Sequence, residues 1–332
     1  MLLGGRPLYD NQADRDLFVN VPEWDRLVRA IERRLNVLVL GRWGSGKTTL
    51  LHQIQMVLRE GGENVVFVEG TGAADALELT TRIRNSLTGE SSPAAIAGNA
   101  IEALRGGGEL PAGASRQLGL QLGAIGEAAP SVILLDGPSA PEAVFDLFGR
   151  MRDVLWQQPH CWVVALDARH RSTVLKPPAD AFFDLVVPLG DWSTNDLANL
   201  LTRRGEGELS GRLIRAAAVG AEGNPRQALR ALSFGVVNDQ DPGVLLDERA
   251  RLLEMAAQLG RAPAMLLAEL LDRGQASPSD AELQESLGVT RARLTQMFHQ
   301  LRENDLVISE PERADGPGRP RTVYRPNLPH ER

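Results

Sequence analysis

Short apolar, largely β-branched runs recur along the first part of the chain, at residues 35–40, 65–68, 132–135, 162–166 and 185–187. None alternates strictly with polar positions, so each predicts a strand buried on both faces. Before and between them lie segments with apolar residues at helical spacing, including 22–35 and 50–58, and a further one follows at 193–204. Strand alternating with helix predicts a doubly wound parallel α/β core. The last part of the chain reads differently. Helical spacing over 264–271, 280–287 and 291–303 is followed by two short strand-like runs, 306–308 and 322–324, around a polar stretch at 310–320.

Composition changes this picture little. A 332-residue chain with 43% apolar and 24% charged residues is long enough for two or three ordinary domains. The opening residues lack the pattern of a secretory leader, and no apolar run approaches the ~18 residues of a membrane span, which predicts a cytoplasmic protein without a membrane partner. The one cysteine, Cys161, lies beside an apolar run and reads as a small buried hydrophobe. A net charge of −7 does not mark a nucleic-acid binder, so charge distribution matters more than the total. The stretch 89–130 is rich in Ala, Gly and Ser, and predicts helices over 93–104 and 115–126 joined by a mobile loop. It reads equally as a surface insertion and as a partner contact.

Candidate chemistry begins where the first strand ends. Gly41-Arg42-Trp43-Gly44-Ser45-Gly46-Lys47-Thr48-Thr49 follows an apolar run and opens a helix, which is the context a phosphate loop needs. Gly41, Gly44 and Gly46 let backbone N–H groups of the loop, with those of Ser45 and Thr49, face phosphate oxygens at a helix N-terminus. Lys47 is expected on the β- and γ-phosphates and the Thr48 hydroxyl on Mg²⁺, which predicts ATP or ADP with Mg²⁺ as the bound group. Only Lys47 and Lys176 are lysines in this arginine-rich sequence, so lysine at the required position is informative. The run 132–135 ends in Asp136, the expected second Mg²⁺ ligand.

With two further features these residues resemble the AAA+ ATPases of the initiator, origin-recognition type. Leu17-Phe18-Val19-Asn20 before the helical segment 22–35 stands where that family has its adenine-side segment, which implies a nucleotide contact at Val19. Gly223-Asn224-Pro225-Arg226 looks like the family's sensor-2 motif, whose arginine reaches from a helical lid to the γ-phosphate, so Arg226 takes that part. The resemblance covers roughly residues 15–235. It implies a P-loop NTPase sheet of order 5-1-4-3-2, an ATP site between core and lid, and a sensor-1 position at Asp167. A capping aspartate is the other reading of Asp167.

Two departures bear on activity. The family has a glutamate after the metal-binding aspartate, whereas Gly137 and Pro138 follow here. Glu69, ending the neighbouring strand, reads either as a substitute base or as a turn cap. The segment 175–181 carries no arginine where ring-forming members place their finger, and Arg169 and Arg171 are the nearest alternatives. Both departures predict a slow ATPase or nucleotide switch, leave ring assembly unsupported and leave self-association open.

In the C-terminal part, Ser279-Asp280-Ala281-Glu282 reads as a capping box, Gly288 as a helix end and Thr290 as the cap of the next helix. Two helices joined so tightly read as helix-turn-helix, and the following hairpin makes a winged helix. The second helix offers Arg291, Arg293, Thr295, Gln296, His299 and Arg302 to bases or phosphates, and the hairpin offers Arg319, Arg321 and Arg325. Double-stranded DNA is the partner this pattern favours. Glu303, Glu310, Glu312 and Asp315 dilute the basic surface, and a protein partner is the other reading. The expected domains are 1–190 for the core, 191–245 for the lid and 246–332 for the winged helix. The alternatives to a DNA-binding switch are a signalling adaptor and a helper ATPase for DNA loading or transposition.

Overall fold

In the computed structural model, residues 4–89, 112–138, 140–207, 209–312 and 321–328 are described. The chain forms two compact units, one of Arg6–Trp192 and one of Ser193–Arg332 with Met1–Gly5.

In the first unit, helices α1 (Gln12–Asp16) and α2 (Trp24–Glu32) precede strand β1 (Val37–Gly41), and α3 (Lys47–Glu60) leads to β2 (Val65–Glu69). Helices α4 (Ala76–Thr88) and α5 (Ala112–Glu127) come before β3 (Val132–Asp136). Helix α6 (Pro141–Phe145) runs through a π turn, Asp146–Arg150, to α7 (Arg152–Leu155), and β4 (Cys161–Asp167), α8 (Arg171–Val174) and β5 (Leu185–Pro188) complete the unit. The five strands are parallel in the order β2-β3-β4-β1-β5, the order the sequence reading implied. Each predicted strand is present and runs one residue further toward its loop, while β1 starts only at Val37, two residues into its expected run. The segment 93–104 lies outside the described residues.

Alternate residues of the strands feed two cores. On one face Leu38, Leu40, Ile133, Leu135, Trp162 and Val164 pack against α4, α5 and α6. On the other, Val37, Val39, Val132, Leu134, Val163 and Ala165 pack against Leu50, Leu51 and Ile54 of α3 and Leu27 and Ile31 of α2. Cys161 is buried there, and burial pushes its thiol to about 12, so it is a packing residue. At the start of β4, the buried His160 shares its Nε2 with the Ile125 carbonyl oxygen at 2.8 Å, while Nδ1 finds no partner.

Burial holds the His160 imidazole below the usual value of 6.5, and the Ile125 hydrogen bond only partly offsets it. Below that pH the unfolded chain takes up a proton that the folded chain refuses, so this contribution to stability is present above 6.5 and is lost as pH falls beneath it. His160→Gln is therefore expected to flatten the fall of thermal stability between neutral and mildly acid pH. An unchanged slope in that variant would assign the pH dependence to other groups.

The second unit is helical until its last elements. Its helices are α9 (Thr194–Arg204), α10 (Gly211–Gly220), α11 (Pro225–Asn238), α12 (Pro242–Gln258) and α13 (Arg261–Arg273). Ser193, Ser210 and Asn224 cap α9, α10 and α11 with their side chains, as helix-start residues do. Helices α11 and α12 are fastened to the end of α13. Arg249 donates to the Leu271 carbonyl at 2.8 Å and to Asp272 at 3.3 Å, and Arg230 donates to the same Leu271 carbonyl at 3.2 Å. Then come α14 (Ala281–Leu287), α15 (Arg291–Glu303) and an antiparallel hairpin of β6 (Val307–Glu312) and β7 (Arg321–Pro326). Ala276 pairs with Tyr324, tying the segment before α14 to the hairpin. Leu294, Met297, Phe298 and Leu301 of α15 are buried, at the three- and four-residue spacing read from the sequence. Thr290 caps α15 through its side chain and Gly288 adopts φ +63°, as expected. The side chain of Glu282 lies outside the described set, but Asp280 takes part at the start of α14, accepting from the Ser277 N–H at 2.7 Å. The hairpin strand runs further than the polar pattern suggested, because Pro311 sits on a two-stranded ladder where a missing N–H is tolerated.

Candidate nucleotide site

Strand β1 ends at Gly41 beside β4, whose Asp167 is its register neighbour, at the point where the chain leaves β1 for the far side of the sheet. Crevices at such points are where open α/β sheets hold ligands. The loop that follows turns through Gly44 (φ +79°) and Gly46 (φ +98°), conformations that L side chains avoid, and Gly46 caps α3. Glycine is required at 41 for a different reason. A Cβ there would collide with the Ser45 hydroxyl and lie 3.3 Å from Leu189.

The Lys47 ammonium is held over the loop by the carbonyl oxygens of Gly41 at 2.8 Å and Arg42 at 3.1 Å. Ser45 Oγ is buried with no hydrogen-bond partner, an orphaned group that a phosphate oxygen would satisfy. Thr48 donates to Asp136 Oδ2 at 2.8 Å, so the two expected Mg²⁺ ligands converge from α3 and β3. Burial pushes the Asp136 carboxyl up, and the Thr48 hydrogen bond and the Lys47 charge oppose it. Among the described residues no group of three or more His, Cys, Asp or Glu could hold a metal by itself. A Mg²⁺ ion at Thr48 and Asp136 would take its remaining ligands from water and phosphate, which is this ion's habit. The residues present thus fit a Mg²⁺-bound polyphosphate.

The other expected residues fall in varied settings. Glu69 stands in register opposite Asp136, exposed at the end of β2, and its charge acts on Asp136. Asp167 caps the turn after β4 through the Arg169 N–H and pairs with the Arg169 guanidinium at 3.0 Å. Burial raises the Asp167 carboxyl, but the bonds from Arg169 outweigh it and hold the group low. Val19 is buried in the loop between α1 and α2. The Thr49 hydroxyl accepts from the Leu8 N–H at 3.1 Å. Arg226 opens α11 in the second unit, half-buried, with burial lowering its pKa against the pull of Asp272.

The site has a support that sequence reasoning missed. Residues 6–11 lie along α3: Leu8 is buried, the Tyr9 carbonyl accepts from Gln53 at 2.9 Å, and the Tyr9 and His52 rings sit 5.0 Å apart. Arg6 clamps the buried Asp14 through two bonds of 2.7 and 2.8 Å, which holds that carboxyl at about 2. No local motif announces this arm, since the contacts of Leu8 and Tyr9 with α3 span some 40 residues of chain.

In the second unit, Arg291, Arg293, Gln296, His299 and Arg302 are exposed on α15 and Thr295 is half-exposed. Arg293 bonds Gln296 at 2.6 Å. Arg321 pairs with Asp280 at 3.1 Å, and Arg325 with Gln275 at 3.1 Å and Glu310 at 3.5 Å. Arg319 lies outside the described residues. No helix among those described is long and apolar enough to cross a membrane.

No protein-family model matches the chain, and no curated protein sequence matches it either. Solved structures do. The ORC1 protein of Aeropyrum pernix, in complex with DNA, is 16% identical with TM-score 0.52, over 93% of this chain and 90% of that one. Cdc6p of Pyrobaculum aerophilum is 15% identical with TM-score 0.51, over 98% and 93%. The ORC2 protein of Aeropyrum pernix, in ADPNP–ADP complexes, is 17% identical with TM-score 0.51, over 95% and 94%. The fold is thus that of these ORC and Cdc6 structures.

Proposed function

We propose that this chain is an ATP-binding switch whose nucleotide state governs duplex DNA binding by a C-terminal winged helix. The observation that carries it is the phosphate loop itself: a caged lysine, an orphaned buried serine hydroxyl and a Thr48–Asp136 pair at one strand end. In this reading the loop amides and Lys47 hold the phosphates, and Thr48 and Asp136 hold Mg²⁺, which neutralises phosphate charge when bound. Val19 lies on the adenine side, and Arg226 contributes from the lid. The segment 191–245 acts as that lid and 246–332 as the reader, in a cytoplasmic protein.

Turnover is slow in this account, because Gly137 stands where a base is expected and Glu69 serves in its place. The reader would use Arg291, Arg293, Thr295, Gln296, His299 and Arg302, with Arg319, Arg321 and Arg325 from the hairpin. Two of the neighbouring folds were solved with DNA or with nucleotides, which supports both halves of the reading. The pairing of Arg321 with Asp280 and of Arg325 with Glu310 favours a second reading, a protein partner at the winged helix, since it withdraws positive charge from the surface.

The metal assignment is tested by ATP binding with and without chelator. EDTA is expected to weaken ATP binding to the wild type, and Thr48→Ala and Asp136→Asn are each expected to lose most of that difference. If both variants keep the full Mg²⁺ dependence, the metal is held elsewhere.

A further inference from the structure

Glycine follows Asp136 in a left-handed turn that the neighbouring loop packs against. Gly137 adopts φ +55°, its N–H donates to the Ala165 carbonyl at 3.0 Å, and its own carbonyl accepts from Thr71 Oγ1 at 3.3 Å. Gly70 donates to the Asp136 carbonyl at 2.8 Å, and a Cβ on Gly70 would come within 2.9 Å of Pro138. The left-handed backbone strains any L residue at 137. The β2–α4 loop therefore lies flat against the turn that carries Asp136, and Glu69, at the start of that loop, is the acid standing opposite Asp136 in register.

One side chain closes this loop. Arg82 reaches back from the second turn of α4 and donates to the carbonyl oxygens of Thr71 at 2.5 Å and Glu69 at 3.3 Å. Its other nitrogen pairs with Glu78 at 2.7 Å, and the second Glu78 oxygen accepts from the Ala74 N–H at 3.0 Å. The clasp thus holds the backbone of Glu69 itself and of Thr71, the residue that buttresses Gly137. A guanidinium with donors in a rigid fork suits this task, whereas a single ammonium cannot reach both sides.

We propose that Arg82 is the positioning residue for Glu69, fixing that carboxylate where it activates water for ATP hydrolysis. The inference rests on the reading of Glu69 as the base. In the step it serves, the water oxygen bonds the γ-phosphorus and its proton passes to the Glu69 carboxylate. The bond to the β–γ bridging oxygen breaks, leaving ADP and phosphate. Arg82 touches none of the reacting atoms and acts through the loop. A carboxylate displaced by about 1 Å costs up to ~100-fold in such a step.

The test is steady-state ATP turnover by the full chain. Arg82→Met is expected to lower kcat about tenfold with KM for ATP held within about twofold, the signature of a lost transition-state interaction. Glu78→Gln, which opens the same clasp, should move kcat the same way, and Arg82→Lys should recover part of the loss. Most telling is the double variant. If Arg82 acts through Glu69, Arg82→Met with Glu69→Gln turns over no more slowly than Glu69→Gln alone. Multiplied losses in the double variant, an Arg82→Met enzyme with wild-type kcat, or a matching loss in ATP affinity would each overturn the positioning role. Glu69→Gln with wild-type kcat instead overturns the base reading and the proposal with it, and so does a wild type without turnover.

Discussion

Lys47→Ala is expected to weaken ATP binding by about 10- to 100-fold and to abolish measurable turnover. The ammonium is poised between the carbonyl oxygens of Gly41 and Arg42, at 2.8 and 3.1 Å, so it is already desolvated in part and aimed into the loop. A charged hydrogen bond of this kind contributes about 1.5–3 kcal/mol, and each ~1.4 kcal/mol is tenfold in affinity. Those two carbonyls would also lose their donor in the variant, and the loop would present oxygen rather than nitrogen to a phosphate. Lys47→Arg should not rescue, because a planar fork does not replace a compact ammonium in a cage of this size. Titration with a fluorescent ATP analogue reads the result. Wild-type affinity in Lys47→Ala would remove the loop from nucleotide binding.

The largest effect on stability is expected from Phe148→Ala, at about 3–5 kcal/mol. Phe148 is fully buried in the π turn after α6, with ring centroids 5.4 Å from Trp162, 5.1 Å from Phe182 and 5.4 Å from Phe183. Truncation removes one ring from contact with three others and leaves a cavity the sheet cannot collapse, since Trp162 is fixed in β4. Domains are stable by only ~5–15 kcal/mol, so the loss is a large share of the total. All five tryptophans, at 24, 43, 156, 162 and 192, belong to Arg6–Trp192, so intrinsic fluorescence in urea follows that unit alone. A loss under about 1 kcal/mol would mean that the aromatic cluster repacks. Leu120→Ala, on an exposed position of α5, should cost almost nothing.

The local sequence made the phosphate loop legible because everything it needs lies within nine residues and their two flanks. The strands were legible from their continuous apolar runs, and their order followed from the resemblance rather than from any pairing signal. Helix α15 was legible because its apolar spacing and the Thr290 cap agree on where it starts. Other features depend on contacts between distant residues and carry no local mark. Glycine at 137 showed that a base was missing, but only the fold shows that the residue takes a left-handed backbone between Ala165 and Thr71, which favours glycine there. The clasp of Arg82 and Glu78 reads in sequence as an ordinary helical pair four residues apart, and the carbonyls it holds are invisible without the fold. Glu310 looked like general dilution of a basic surface and Asp280 like part of a helix start, and they prove to pair with Arg325 and Arg321 individually.

The switch itself is tested most directly by duplex affinity at low salt, measured by anisotropy on the full chain with a non-hydrolysable ATP analogue, with ADP and without nucleotide. Coupling free energies of ~1–3 kcal/mol between sites correspond to about 5- to 150-fold changes in affinity. The account predicts that the ATP-analogue and ADP states differ by at least about fivefold, and that Lys47→Ala loses the difference. Equal affinity for duplex in all three states would contradict it.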